Sequence, residues 1–163
     1  MYKRILVPID GSPTAEAGLM EAIRLARDQG ARLRLLYVVE ENVLAQTAGL
    51  DGSALYLGAM LDSMIAAGRE ILARGLALAR ERAVEAEAPD PARFFGRSAD
   101  RIVEEAGQWP ADLIVMGTHG RRGISRVVMG SDAEIVARTT PVPVLLVRAP
   151  ESVPARARTE TRT

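Results

Sequence analysis

The sequence predicts an α/β domain in which an open, five-stranded parallel sheet carries helices on both faces, a Rossmann-like architecture. Five short apolar runs alternate with stretches of helical periodicity along 163 residues. The runs are almost continuously apolar, which is typical of parallel strands buried on both faces. Because crossovers between parallel strands are right-handed, we predict the strand order 3-2-1-4-5, with a switch point between strands one and four.

The first strand and the first helix have clear boundaries in the sequence. Strand one is predicted at 4–9 (RILVPI). Ser12 is a good N-cap and Pro13 suits the first helical position, so helix one is predicted to begin there. Gly30 is predicted to end this helix.

The middle of the chain is less regular. Strand two is predicted at 32–39 (RLRLLYVV), and a connection containing several glycines follows at about 40–59. Helix two is predicted from about Met60 to Ala88, because apolar residues recur there at helical spacing. Strand three is predicted at 92–96 (ARFFG), after a Pro-Asp-Pro stop.

The last third of the chain returns to strong signals. Ser98 is predicted to cap helix three, and strand four is predicted at 112–117 (DLIVMG). Helix four is predicted to begin at Ser131 and to end before Pro141. Strand five is predicted at 142–148 (VPVLLVR).

The length suits a single domain, which we place at 1–148. The remaining residues, 149–163, are polar and contain proline, so we expect a disordered tail.

Composition argues against several classes of protein. The chain has 21 basic and 21 acidic residues, whereas nonspecific nucleic-acid binders usually carry a basic excess. There is no cysteine, which excludes disulfides and thiol chemistry. No apolar run approaches the roughly 20 residues of a membrane span, and the N-terminus does not resemble a signal peptide. We therefore expect a cytoplasmic protein that binds neither membranes nor nucleic acid.

A glycine-rich stretch follows the fourth strand. Residues 117–131 read GTHGRRGISRVVMGS, and in the predicted topology they meet the turn after strand one, where open α/β sheets bind ligands. Glycines let backbone N–H groups face a ligand, and a helix N-terminus adds further donors, so Gly117, Gly120 and the Gly130–Ser131 pair suit phosphate oxygens. Spacing alone leaves two interpretations open, because the glycines also suit turns and Ser131 also suits a helix cap.

Two further residues have alternative interpretations. Asp10, at the carboxyl end of strand one, either forms an Asx turn or faces the crevice, where it contacts a ribose hydroxyl or holds Mg²⁺ beside phosphates. His119 is the only histidine and lacks the partners of a catalytic triad, so a solvated loop position is the simpler interpretation. Arg121 and Arg122 add positive charge beside it.

These residues together resemble the universal stress protein family. The resemblance is carried by KRILVPIDGS at the start, LLYVV in strand two and DLIVMGTHGRRGISRVVMGSDAEIVARTTPVPVLLV near the end, and it covers about 1–148. The family's nucleotide motif is glycine, two residues, glycine, nine residues, glycine, then serine or threonine. Gly117, Gly120, Gly130 and Ser131 match it without a gap.

The resemblance implies the ATP-binding branch of that family, an adenine nucleotide alpha hydrolase-like fold, and ATP with Mg²⁺ as ligands. The motif residues would bind the ribose and phosphates, Asp10 would lie near the ribose and the metal, and Val38 would offer backbone groups to adenine. The residues expected to bind the nucleotide are Pro8, Ile9, Asp10, Val38, Gly117, His119, Gly120, Arg121, Arg122, Gly130 and Ser131, with Asp10 also the expected metal ligand.

The resemblance also implies a homodimer, often formed by pairing of the last strands. The predicted strand order supports this independently, because it leaves 142–148 at an edge, and an apolar unpaired edge invites another chain. Pro143 removes one donor but does not forbid pairing there.

Three functions remain open at this point. The sequence favours an ATP-binding regulator of the stress response, with no catalytic residue assigned. The alternatives are a slow ATPase or phosphotransferase, in which His119 or Asp10 positions a water, and an interaction scaffold that needs no ATP. The sequence identifies neither the stress signal nor a downstream partner.

Overall fold

The alternation of strands and helices is present in the structure, a computed structural model that describes residues 1–40, 54–118 and 130–148. In chain order the elements are β1 (Arg4–Pro8), α1 (Pro13–Gln29), β2 (Arg32–Leu36), β3 (Val39–Glu40), α2 (Ala54–Glu81), β4 (Ala86–Glu87), a 3-10 turn (Pro91–Arg93), β5 (Phe95–Gly96), α3 (Ser98–Gln108), β6 (Leu113–Gly117), α4 (Ser131–Thr139) and β7 (Val144–Val147).

The main sheet has five parallel strands in the order β4-β2-β1-β6-β7, which confirms the predicted topology. Alternate strand residues face opposite sides, so the sheet has two apolar cores. Ile5 and Val7 pack with residues of α1 and α2, whereas Leu6 packs with residues of α3 and α4. A second sheet contains only the short strands β3 and β5.

Both predicted ends of the first helix are confirmed. Ser12 precedes α1, and its hydroxyl accepts a hydrogen bond from the Ala15 N–H at 3.2 Å. Gly30 follows the helix with a φ of 62°, the left-handed conformation that glycine adopts without steric cost.

The predicted end of the second helix is wrong, since α2 ends at Glu81 rather than near Ala88. The Ala83 N–H donates to the Arg80 carbonyl and the Val84 N–H donates to the Ala79 carbonyl, which is the hydrogen-bond pattern of a Schellman motif. Ala83 takes the left-handed position with a φ of 56°. Glycine usually occupies that position, so an alanine there carries no signal that the helix stops.

The predicted location of the third strand is also wrong. The edge of the sheet beside β2, which the prediction assigned to strand three, is occupied by β4. Its two residues have low hydrophobicity and pair with Leu33 and Arg34. Within 92–96, only Phe95 and Gly96 are extended, and they pair with β3 in the small sheet. A two-residue edge strand is too short to show the apolar run that marks a buried strand.

A capped turn precedes β5. The Asp90 carboxylate accepts from the Ala92 N–H at 3.1 Å and binds Arg69 of α2 at 2.9 Å. The hydrogen bond from Arg69, more than the one from Ala92, lowers the pKa of Asp90 below its usual value.

The prediction that Ser98 caps the third helix is wrong. Arg97 is the N-cap residue, and Ser98 is the first residue of α3. Both the N–H and the hydroxyl of Ser98 donate to the Glu40 carboxylate, so a residue of β3 covers this helix end.

The connection predicted at 40–59 and the tail predicted at 149–163 fall largely or wholly outside the described residues; the last six residues of the connection belong to α2. Within the described segments, no helix combines the length and the apolar character needed to cross a bilayer.

Candidate functional site

The carboxyl end of β1 leads into a tight turn. The Ile9 N–H donates to the Leu36 carbonyl of β2 at 2.8 Å, which extends the pairing of the two strands by one residue. The Ser12 N–H then donates to Asp10 Oδ1 at 2.9 Å. Asp10 therefore forms the Asx turn that was one of its two interpretations, and a half-buried carboxylate stands at the end of the central strand.

The carboxyl end of β6 packs directly on the start of α1. A Cβ added at Gly117 would lie 2.7 Å from the carbonyl carbon of Thr14 and 2.9 Å from the Ala15 nitrogen. A Cβ added at Gly18 would lie 3.2 Å from the Gly117 nitrogen. The missing side chain of Gly117 thus lets strand and helix backbones touch, and this contact brings the ends of β1 and β6 together.

Two backbone hydrogen bonds close the segment between β6 and α4. The Thr118 N–H donates to the Val147 carbonyl at 2.9 Å, and the Gly130 N–H donates to the Thr118 carbonyl at 2.8 Å. We call the Thr118–Gly130 pair the clasp. Because its N–H serves the clasp, Gly130 is not a free donor for the predicted phosphate site.

Helix α4 begins beside the clasp without a capping side chain. Gly130 is the N-cap residue, and among the described residues no side-chain hydrogen bond caps the helix. Ser131 is the first helical residue and is exposed, so the alternative interpretation in which Ser131 caps the helix is wrong. The first-turn N–H groups and the positive end of the helix dipole therefore lack a covering N-cap side chain.

The other side of the site is apolar. Pro8 is half-buried at the end of β1, and Ile9 is buried directly after it. Val38 is buried just beyond the end of β2, which pairs with β1 up to Pro8 and Leu36. These three residues lie on neighbouring strands at the same edge of the sheet as Asp10.

The structure therefore brings together seven of the predicted site residues: Pro8, Ile9, Asp10, Val38, Gly117, Gly130 and Ser131. His119, Gly120, Arg121 and Arg122 lie outside the described residues. Within the described segments, no group of three or more acidic or histidine side chains is arranged to hold a metal ion.

Sequence reasoning missed Gly18 and Thr118. Gly18 is a buried glycine within α1. Glycine inside a helix lowers helix stability by about 1 kcal/mol relative to alanine, so its presence there was a signal of a close backbone contact. The backbone of Thr118 makes the hydrogen bonds to Val147 and Gly130. Because backbone groups make these bonds, no side-chain pattern in the sequence could have predicted them.

A family model described as "Universal stress protein family" matches residues 1–148. The chain belongs to the universal stress protein family. Universal stress protein MJ0531 of Methanocaldococcus jannaschii is 34% identical over 93% of this chain and 85% of its own length. Universal stress protein YxiE of Bacillus subtilis is 31% identical, over 91% of this chain and all of its own.

A solved universal stress protein shares the architecture described above. The protein from Archaeoglobus fulgidus in complex with dAMP is 25% identical, with a TM-score of 0.62, and the match covers 90% of this chain and 98% of that one. The family's fold is therefore the one that positions these site residues.

Replacing Gly117 by alanine is expected to lower the free energy of unfolding by about 1–3 kcal/mol, since the added Cβ would overlap the backbone of Thr14. Denaturant unfolding measures this change. Gly117 is not among the glycines with positive φ, so backbone strain does not contribute.

Gly107→Ala is the matched control. A Cβ at Gly107 would meet no atom within 4 Å, and the change is expected to be neutral or to stabilise α3 by up to about 1 kcal/mol. Equal unfolding midpoints for the two variants would contradict the close contact between α1 and β6.

Proposed function

We propose that this protein binds ATP with Mg²⁺ at the carboxyl ends of β1 and β6 and acts as a nucleotide-dependent regulator. The observation that carries the proposal is the start of α4, which lies without a capping side chain at the topological switch point of the sheet. Open α/β sheets bind ligands at this position.

The phosphate groups suit the beginning of α4. First-turn N–H groups together with the helix dipole favour anions. Gly130 has no side chain to fill the space in front of the helix, and the Ser131 hydroxyl is an additional donor. His119, Gly120, Arg121 and Arg122, which occupy the same motif in the sequence, remain predicted contributors.

The base suits the apolar side of the site. Pro8 is half-buried at the end of β1, and the buried residues Ile9 and Val38 lie at the ends of adjacent strands. Purine rings are flat and largely apolar on their faces, which suits apolar surroundings of this kind. The dAMP complex of the Archaeoglobus fulgidus relative supports an adenine nucleotide as the ligand class.

The metal ion suits Asp10. Mg²⁺ in nucleotide sites usually keeps several waters and binds one or two carboxylates together with the phosphates, so a single aspartate fits this role. The only histidine of the sequence, His119, lacks the partners of a catalytic triad and offers no convincing general base, and for this reason we propose binding rather than turnover as the output. The place of action is the cytoplasm, where ATP is abundant.

Equilibrium dialysis is expected to show saturable ATP binding at or below millimolar concentration. Gly130→Trp is expected to abolish it, because the indole would fill the space in front of α4. Gly107→Trp places the same side chain at an exposed position of α3 and is expected to bind like the wild type. Wild-type affinity in folded Gly130→Trp would exclude this phosphate position.

The metal role has a separate test. Asp10→Asn keeps an oxygen that accepts from the Ser12 N–H but removes the charge that attracts Mg²⁺. We expect Mg²⁺ to increase ATP affinity in the wild type and in Asp62→Asn, an exposed control on α2, but not in Asp10→Asn. An undiminished Mg²⁺ effect in Asp10→Asn would remove Asp10 as the ligand.

A homodimer through β7 forms the second half of the proposal. β7 is the last strand of the sheet, and its four side chains are only partly buried. The carbonyls of Pro143 and Val147 accept from residues of the β6 side, so the backbone groups of Val144 and Leu146 point to the open edge. The N–H that Pro143 lacks would face β6, so this proline removes no donor from the open edge. Pairing with a second copy about a two-fold axis would cover that edge.

Sedimentation velocity is expected to show a dimer for the wild type and for Pro143→Ala, because the N–H that alanine adds would face β6 and not the open edge. Leu146→Pro removes an outward N–H and is expected to yield folded monomer, with circular dichroism as the check on folding. A wild type that stays monomeric at all concentrations, or a folded Leu146→Pro dimer, would contradict pairing through β7.

A further inference from the structure

A second pocket lies away from the nucleotide site, between the outer strands of the sheet and the C-terminal half of α3. Its volume is about 340 Å³, and its lining includes Arg34, Glu87, Arg93, Phe94, Glu105 and Gln108. This volume is at the lower end of the range for ligand pockets, so the pocket suits a small molecule.

The inner part of this pocket is a charge cluster. Arg34 donates to Glu105 Oε1 at 2.6 Å and to Glu87 Oε1 at 2.9 Å. The Arg34 guanidinium also lies 4.8 Å from the centre of the Trp109 ring, which fixes its plane. Three elements, β2, β4 and α3, therefore meet at one arginine.

The cluster carries one more negative than positive charge, since Arg34 faces two carboxylates. The Glu105 side chain is only 5% exposed. Within the described residues, both bonded carboxylates use Oε1, and no donor reaches the second oxygen of either. Only Glu105 is buried, since the Glu87 side chain is 49% exposed, and a buried carboxylate is costly unless positive charge pairs with it.

Glu105 lines the pocket, and its second oxygen accepts no hydrogen bond from the described residues. Among the described residues, Arg101 Nε is the only fully buried side-chain polar atom without a hydrogen-bond partner. The unbonded oxygen of Glu105 is therefore not fully buried. A ligand ammonium group, with three donors and a positive charge, suits this oxygen and that of Glu87.

The pocket also offers a cation and, on a mostly polar lining, a small apolar contact. Arg93 is exposed and has no ion pair within the described segments, and a guanidinium binds carboxylates through two parallel hydrogen bonds. Phe94 is 8% exposed and supplies apolar surface. Ammonium, carboxylate and a modest apolar group are together the features of a free amino acid.

We propose that this pocket binds a small zwitterion of the free amino acid class, with the ammonium group on Glu105 and Glu87 and the carboxylate on Arg93. Binding here is separate from the proposed ATP site, because no residue is shared between the two. The ammonium group of the ligand pairs with the carboxylates of the Arg34 cluster.

Trp109 provides the readout, because it is the only tryptophan and contacts Arg34. Titration of the wild type with a panel of free L-amino acids at millimolar concentrations is expected to change its fluorescence saturably for at least one of them. The N-acetyl form of that amino acid, which lacks the ammonium, is expected not to bind. The amide form, which lacks the carboxylate, is expected to bind more weakly.

Variants separate recognition from a purely structural ion cluster. Glu105→Gln and Arg93→Gln are each expected to weaken binding about tenfold or more, the effect of losing one charge-assisted hydrogen bond. Glu87→Gln tests the same ammonium position at a half-exposed residue if Glu105→Gln does not fold. Glu70→Gln, an exposed change on α2, is the control and is expected to bind normally.

Three results would overturn the proposal: no saturable response to any amino acid, equal binding of the N-acetyl form, or unchanged affinity in folded Arg93→Gln and Glu87→Gln. ATP dialysis on the same variants distinguishes the two sites, since ATP binding is expected to be unchanged in all of them.

Discussion

The contact between the start of α1 and the end of β6 is the constraint on which the candidate site depends. Two glycines, Gly18 and Gly117, remove the side chains that would separate the helix from the strand. The helix therefore starts directly against β6, and the turn that carries Asp10 reaches the same edge of the sheet. If either position carried a side chain, helix and strand would have to move apart, and the site would widen at its centre.

The sequence was sufficient to predict four strands of the main sheet but not the short strand β4 at its edge. Parallel strands buried on both faces appear as continuous apolar runs, so β1, β2, β6 and β7 were located to within a few residues, and Ser12 and Gly30 marked α1 through local hydrogen bonding and φ. β4 was missed because a two-residue edge strand buries little surface. The end of α2 was missed because Ala83 replaces the glycine expected there.

The candidate site was predictable as a location but not in the role of each glycine. A missing Cβ serves a ligand, a helix contact or a turn equally well, and only the structure separates these uses. Gly117 faces α1, and the N–H of Gly130 bonds within the chain, so the proposed anion site depends mainly on the helix start at Ser131. The Arg34 cluster was not foreseeable, because Arg34 and Glu105 are 71 positions apart and belong to different elements.

The clasp keeps the folded scaffold independent of the segment that carries four of the predicted ligand residues. Its single hydrogen bond of 2.8 Å joins the two ends of the segment between Thr118 and Gly130, so β6 and α4 are held in place by residues outside that segment. Loop-closure entropy grows slowly, by about 0.6 kcal/mol for each doubling of length. Evolution, or an engineer, can therefore exchange this stretch for another of different length at a small entropic cost to the scaffold, which would leave the proposed ligand contacts free to change.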